Sequence, residues 1–245
     1  MNFDFTTQPA TFLARPNRFR IEAQLHESGR VISAHCPDPG RLLELLIPGV
    51  TVHVSPANNP ARKTAWDLRF VEHPEHGQLI SLDSRLPNQL FAEGLAAGFF
   101  APFANPQKIA REMTVDLPHT HGVRSRIDYR LIDAQGRPCW IEVKSATLVE
   151  EGWAYFPDAV TVRGRRHVEE LTALVKRGDR AAITFIIQRP DAAGLSPQWT
   201  ADPDFARALV AADAVGVEIY AYTCCVTLQS MTLAHPVPVV LAGDA

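Results

Sequence analysis

Three ionisable residues stand out by type and spacing. Asp128, Glu142 and Lys144 lie in "IDYRLIDAQGRPCWIEVKSATL" (127–148), inside two strongly apolar strand patterns. Side chains alternate along a strand, so Glu142 and Lys144 project the same way, roughly 6.6–6.8 Å apart. A turn near 133–138 brings Asp128 into the neighbourhood of Glu142. One sheet face could then present two carboxylates and an ammonium together. That set suits metal-assisted phosphodiester cleavage. Two carboxylates can hold Mg²⁺ or Mn²⁺ through oxygen, with water completing the shell. The cation acidifies a bound water and offsets charge at phosphorus, and the lysine orients that water or neutralises developing charge. The same spacing also fits an exposed ionic face on which the three simply pair with one another.

Elements must hold these residues. "RFRIEAQL" (18–25) alternates, with Phe19, Ile21, Ala23 and Leu25 on one side and Arg18, Arg20, Glu22 and Gln24 on the other. Segments 31–36, 49–55, 64–72 and 78–83 alternate similarly, which predicts a barrel of five short strands. "RLLELL" (41–46) reads as its one helical piece. From residue 87 the pattern changes. "PNQLFAEGLAAGFF" (87–100) has helical spacing, and "REMTVDL", "RSRIDYRLID" and "CWIEVKSATL" read as strands. Residues 161–177 form the clearest helix, with Thr161 as N-cap and Gly178 as its stop. "AAITFII" (181–187), helix 203–216 and strand 217–226 make a parallel pair with a crossover. The tail after about residue 227 is suited to an edge strand. The expected fold is therefore an all-β OB-like barrel, residues 1–85, followed by an α/β domain with a mixed sheet, residues 86–245.

Composition narrows the class. The chain has 245 residues, 46 % of them hydrophobic, which supports two modest domains. No apolar run approaches the length of a membrane span, and the N-terminus has no signal-peptide pattern. Cys36, Cys139, Cys224 and Cys225 show neither C-x-x-C nor zinc spacing, so reduced thiols in the cytoplasm are expected. The net charge of −3 gives no global basic field. Cations are local. "RPNRFR" supplies Arg15, Arg18 and Arg20 to the barrel, Phe19 being expected in its core. Arg126 shares the face of Asp128. Arg163, Arg166 and His167 begin the 161–177 helix beside the carboxylates, where a helix N-terminus suits phosphate. These residues also fit an ordinary solvated surface, and His167, beside the apolar stripe, fits a buried structural histidine.

"RPNRFR", "HCPDPGRLLELLIPG", "RSRIDYRLI", "CWIEVKSATL" and "YFPDAVTVRGRRHVEEL" together resemble the sugar fermentation stimulation protein family of bacteria and archaea. The likeness runs from about residue 12 to about 225. It implies an OB-like domain and a domain resembling PD-(D/E)xK, restriction-endonuclease-like nucleases. Asp128 then matches the first acid, and Glu142 and Lys144 match E-x-K. Glu93, on the preceding helix, matches an acid that some nucleases of this kind use as a further metal ligand. Ile127 stands where the motif has proline, and Asp38 where asparagine is more usual. The helix at 41–46 would follow the second strand, whereas an OB-fold places its helix after the third. The resemblance implies a DNA-binding protein linked to regulation of sugar (maltose) metabolism. With no helix-turn-helix or zinc-finger signature, sequence-tolerant contact to the backbone of DNA, or of RNA by the same groups, is expected. Three readings follow: a Mg²⁺-dependent nuclease, a DNA-binding regulator without turnover, and a sensor of a small phosphorylated molecule. The sequence is silent on oligomeric state.

Overall fold

The structure is a computed structural model and describes residues 1–57, 62–115 and 125–242. Five strands form the N-terminal barrel: β1 (Gln8–Asn17), β2 (Arg20–Leu25), β3 (Val31–His35), β4 (Thr51–Pro56) and β5 (Trp66–Glu72). β1 pairs with β2 and β4, β2 with β3, and β4 with β5; a short parallel contact of Ala34 and His35 with Trp66 and Asp67 closes the ring. Ala10, Phe12, Ile21, Ala23, Ala34, Val52, Val54 and Leu68 fill it. β6 (Leu79–Ser81), expected as a barrel strand, instead pairs antiparallel with the end of β5 outside the ring.

Two sequence expectations change here. β1 was not foreseen; its Pro9 and Pro16 sit near its ends, where proline is tolerated. The segment 41–46 is not a helix. It closes a single turn, Leu46 N–H donating to Leu42 C=O at 2.9 Å, with Leu42 in a left-handed conformation (φ 54°). Six residues are too few to offset the cost of helix nucleation. Once β1 is counted, this turn follows the third strand, where an OB-fold carries its helix.

The second domain begins at α1 (Leu86–Ala96). Its sheet comprises β7 (Lys108–Thr114), β8 (Arg126–Ile132), β9 (Pro138–Ala146), β12 (Arg180–Ile187), β14 (Glu218–Val226) and β15 (Met231–Val237), in spatial order β15-β14-β12-β9-β8-β7. β9, β12 and β14 are parallel, and the outer pairings are antiparallel. Residues 116–117 and 124 of the expected strands lie outside the described residues. A small sheet of β10 (Val149–Glu150), β11 (Trp153–Phe156) and β13 (Gly194–Pro197) was not foreseen. These strands are too short to show a period. α2 (Val162–Lys176) and α3 (Pro203–Ala214) pack on one sheet face with Trp140, Ile183 and Phe185. α1 packs on the other with Tyr129, Ile141 and Val143. Among the described residues no helix is long and apolar enough to cross a membrane. The four cysteines are free, Cys224 buried and Cys225 exposed on opposite sides of β14.

The segment 36–42 joins the domains. The Arg15 guanidinium donates to the carbonyls of Arg18 (2.8 Å), Asp38 (3.0 Å) and Arg41 (2.6 Å). Asp38 Oδ1 accepts from Gly40 N–H (2.8 Å), and Asp158 of the second domain accepts from Leu42 N–H (2.8 Å). A Cβ on Gly40 would lie 2.7 Å from Asp158 Oδ2 and 2.9 Å from Asp38 Oδ1. Gly40→Ala should therefore lower stability by about 1–3 kcal/mol in urea titration. Burial, eased by the Gly40 N–H and reinforced by Asp158, pushes the Asp38 carboxyl up to about 6. The native state then holds its proton more tightly than the unfolded chain, so this residue costs stability as pH rises from about 4 through 6. Asp38→Asn should raise stability at pH 8 by about 1–3 kcal/mol, with the gain fading toward pH 4. A gain that is flat with pH would remove Asp38 as its source.

Candidate active site

β8 and β9 form the hairpin expected from the sequence. Asp133 Oδ1 accepts from the N–H groups of Gln135 (2.9 Å) and Arg137 (2.8 Å), and Gly136 takes φ 78°, which sets the turn. Tyr129, Leu131, Cys139, Ile141 and Val143 face α1. Glu142 and Lys144 face α2. Ile127 enters the α2-side core whereas Tyr129 faces α1, so the alternation breaks at Asp128. There the β8–β9 ladder ends, and the Asp128 side chain takes over: its Oδ2 accepts from Val143 N–H at 2.8 Å.

Glu142 is 3 % exposed on a strand flanked by two others. Its Oε1 accepts from Lys144 Nζ at 2.6 Å and from His167 Nδ1. Arg163 Nε donates to His167 Nε2 at 3.4 Å. Nδ1 is the donor in the bond to the Glu142 carboxylate, so the 3.5 Å approach of Lys144 Nζ to that nitrogen is a contact rather than a hydrogen bond. Burial opposes the charge of Glu142, but Lys144 and His167 outweigh it and hold the carboxyl below the usual range. Burial and then the Glu142 charge push Asp128 up to about 7, with Glu112 adding to the rise. Glu112 lies across from Asp128 on β7, at φ 52°. Glu142 Oε2 is buried without a hydrogen-bond partner among the described residues.

α2 brings His167 and Arg163 to this place. Thr161 Oγ1 accepts from Gly164 N–H (3.0 Å), and Asp202 Oδ2 accepts from Thr161 N–H (2.7 Å). Only glycine fits at 164, since a Cβ would lie 2.7 Å from the Thr161 methyl. Val168, Leu171 and Leu174 anchor the helix to the sheet.

Other sequence candidates fall elsewhere. Glu93 is corrected: it lies on α1, which packs the opposite sheet face, and its carboxylate meets the Met1 ammonium at 2.9 Å. Arg15 is spent on backbone carbonyls. Arg126 is exposed at the start of β8, two residues from Asp128. Arg163 is exposed, Arg166 half-buried, and His167 (2 % exposed) reaches Glu142 rather than solvent. Arg18 and Arg20 are exposed at the β1–β2 turn. Phe19, expected in the core, is 58 % exposed there. Alternation fails at a turn, which is the signal that should have warned against a core reading. A cleft of about 810 Å³ opens beside it, lined in part by Arg20, Arg62, Lys63 and Arg85. Sequence reasoning passed over the last three, although "ARKT" was legible as a basic loop.

A mixed sheet with an Asp, Glu-x-Lys cluster, joined to a closed OB barrel, defines the class. Residues 13–82 match the family described as SfsA N-terminal OB domain, and residues 85–230 match that described as Sugar fermentation stimulation protein RE domain. The chain is 47 % identical to a Sugar fermentation stimulation protein homolog of Moorella thermoacetica, over 95 % of this chain and 96 % of that one. It is 40 % identical to a homolog of Paramagnetospirillum magneticum, over 96 % of each. The solved structure of Pyrococcus furiosus SfsA in complex with Ca²⁺ superposes with a TM-score of 0.83 at 30 % identity, covering 98 % of both chains. The chain belongs to the sugar fermentation stimulation protein family.

His167→Asn keeps a donor where Nδ1 stands and should stay within about 1 kcal/mol of wild type in urea titration. His167→Leu leaves a buried carboxylate short of a donor and should lose about 1–3 kcal/mol. Equal losses would mean that packing, not the bond to Glu142, is what His167 supplies.

Proposed function

We propose that this chain binds DNA largely independently of sequence and hydrolyses its phosphodiester bonds at Asp128, Glu142 and Lys144, with Mg²⁺ or Mn²⁺ as cofactor. The observation that carries this reading is Glu142 Oε2: a buried, unpartnered carboxylate oxygen beside a second carboxylate, Asp128, whose own ionisation it disfavours. Such a pair fits a hard divalent cation. Among the described residues no group of three His, Cys, Asp or Glu is placed to hold a metal. Two carboxylates suffice for Mg²⁺, which keeps several waters. The Ca²⁺ complex of Pyrococcus furiosus SfsA supports an oxygen-ligated cation on this fold.

Asp128 and Glu142 would hold the cation, which when bound offsets charge at phosphorus and makes water acidic enough to attack. Lys144 presents its ammonium within 2.6 Å of Glu142, where it can neutralise charge building on the phosphate. His167 fixes one oxygen of Glu142 and leaves the other free. Arg163, exposed in the first turn of α2, can contact the backbone phosphate. The family's link to sugar metabolism would then be regulatory, acting through nucleic acid.

Single- and double-stranded DNA incubated with Mg²⁺ or Mn²⁺ should be cut by wild type. Asp128→Ala, Glu142→Ala and Lys144→Ala should each lower the rate by about 100-fold or more. Binding without cutting in every variant would favour the regulator without turnover. Metal-dependent stabilisation by small phosphates but not by DNA would favour a sensor. Arg163→Ala should weaken DNA binding and reduce its salt slope by about one; an unchanged slope would place Arg163 outside the interface.

A further inference from the structure

We infer that the cleft on the barrel is a binding site for single-stranded nucleic acid, with Phe19 as the platform on which an unpaired base stacks. This rests on the chain being a nucleic-acid-binding protein and does not depend on cleavage. Phe19 is the one exposed aromatic among the described residues. Its backbone is held from three directions. Its N–H donates to Asn17 Oδ1 (2.9 Å), and its carbonyl accepts from Cys36 N–H (2.9 Å) and His35 Nδ1 (3.1 Å). The fold thus holds the backbone that carries an apolar ring in water, where the ring buries little surface of its own. Stacking there orders only the side chain, not the loop.

The cleft beside it carries a uniform charge. Arg20, Arg62, Lys63 and Arg85 line it with His35, and among the described residues no acidic one lines it. Arg62 and Arg85 are oriented from behind by the buried carboxylates of Asp67 (2.7 Å) and Asp83 (2.5 Å). Arg20 meets Glu22 at 3.5 Å in solvent, a pairing that holds it weakly. Cations lining a groove with an aromatic face at its edge match a flexible chain of phosphates and bases. A duplex covers its base faces by stacking and offers none to Phe19, whereas a single strand offers one at each nucleotide.

The test is fluorescence anisotropy of the full chain in EDTA, with labelled short oligothymidylate, oligouridylate and a duplex of equal length. Phe19→Ala should weaken binding of the single strands about ten-fold and change duplex binding little. Phe19→Trp should keep the affinity, and Phe19→Leu should behave like alanine, separating stacking from simple apolar contact. Lys63→Ala should reduce the single-strand salt slope by about one. The sugar bound more tightly names DNA or RNA as the source of the strand. Single-strand affinity unchanged by Phe19→Ala, or lost equally on duplex, would overturn the inference. A wild type that binds duplex with Phe19 silent would sink this site while leaving the proposed function intact. Phe19-dependent binding without metal-dependent cleavage would do the reverse.

Discussion

The structure turns on one buried negative charge. Glu142 sits on a strand hydrogen-bonded on both sides and almost closed to water. An ionised carboxylate there is costly unless groups inside the protein replace its hydration. Lys144 and His167 do so for one of its oxygens. Much of the second domain follows from that requirement. Lys144 must lie two residues along the same strand to reach it. α2 must begin where it does to deliver His167 and Arg163, hence the Thr161 cap, the glycine at 164 and the bond from Asp202 to Thr161. Asp128 must approach from the neighbouring strand, and it does so by breaking the ladder and accepting the Val143 N–H itself. The remaining Glu142 oxygen stays without a hydrogen-bond partner among the described residues.

The connection between the domains uses the same stretch of chain. Asp158 lies between β11 and α2, so the residue that receives the barrel's Leu42 N–H is three positions before the cap of the helix that carries His167. Arg15, at the end of β1, fixes the other side by gathering three carbonyls around the 36–42 segment. Gly40 lies between Asp38 and Asp158 with no room for a side chain. Along this segment barrel and sheet are thereby coupled through backbone donors and acidic side chains.

The basic residues divide into two kinds that look alike in the sequence. Arg15 and Arg20 are five residues apart, yet one is consumed by backbone carbonyls and the other faces open water. His167 and Arg163 are one helical turn apart, yet the first is buried against a carboxylate and the second is exposed. Which of them can meet a phosphate depends on what else is nearby. Phe19 makes the same point for an apolar residue: its place in an alternating pattern suggested the core, but the pattern starts one residue later, at Arg20.

The sequence by itself determined the parts whose cause is local. Period-two alternation located β2 to β5, β8 and β9, and an unbroken apolar run located β12. The 3.6-residue period with Thr161 and Gly178 bounded α2. The Glu-x-Lys spacing placed Glu142 and Lys144 on one side of β9, because side-chain direction along a regular strand is fixed by backbone geometry alone. Tertiary structure decided what depends on partners distant in the chain. It moved Glu93 to the wrong side of the sheet and paired it with Met1. It recruited His167 to Glu142 across 25 positions, made a strand of residues 8–17 despite two prolines, and reduced 41–46 to a turn. Burial, desolvation and the identity of a hydrogen-bond partner are properties of packed neighbours, and no local pattern of residues specifies them.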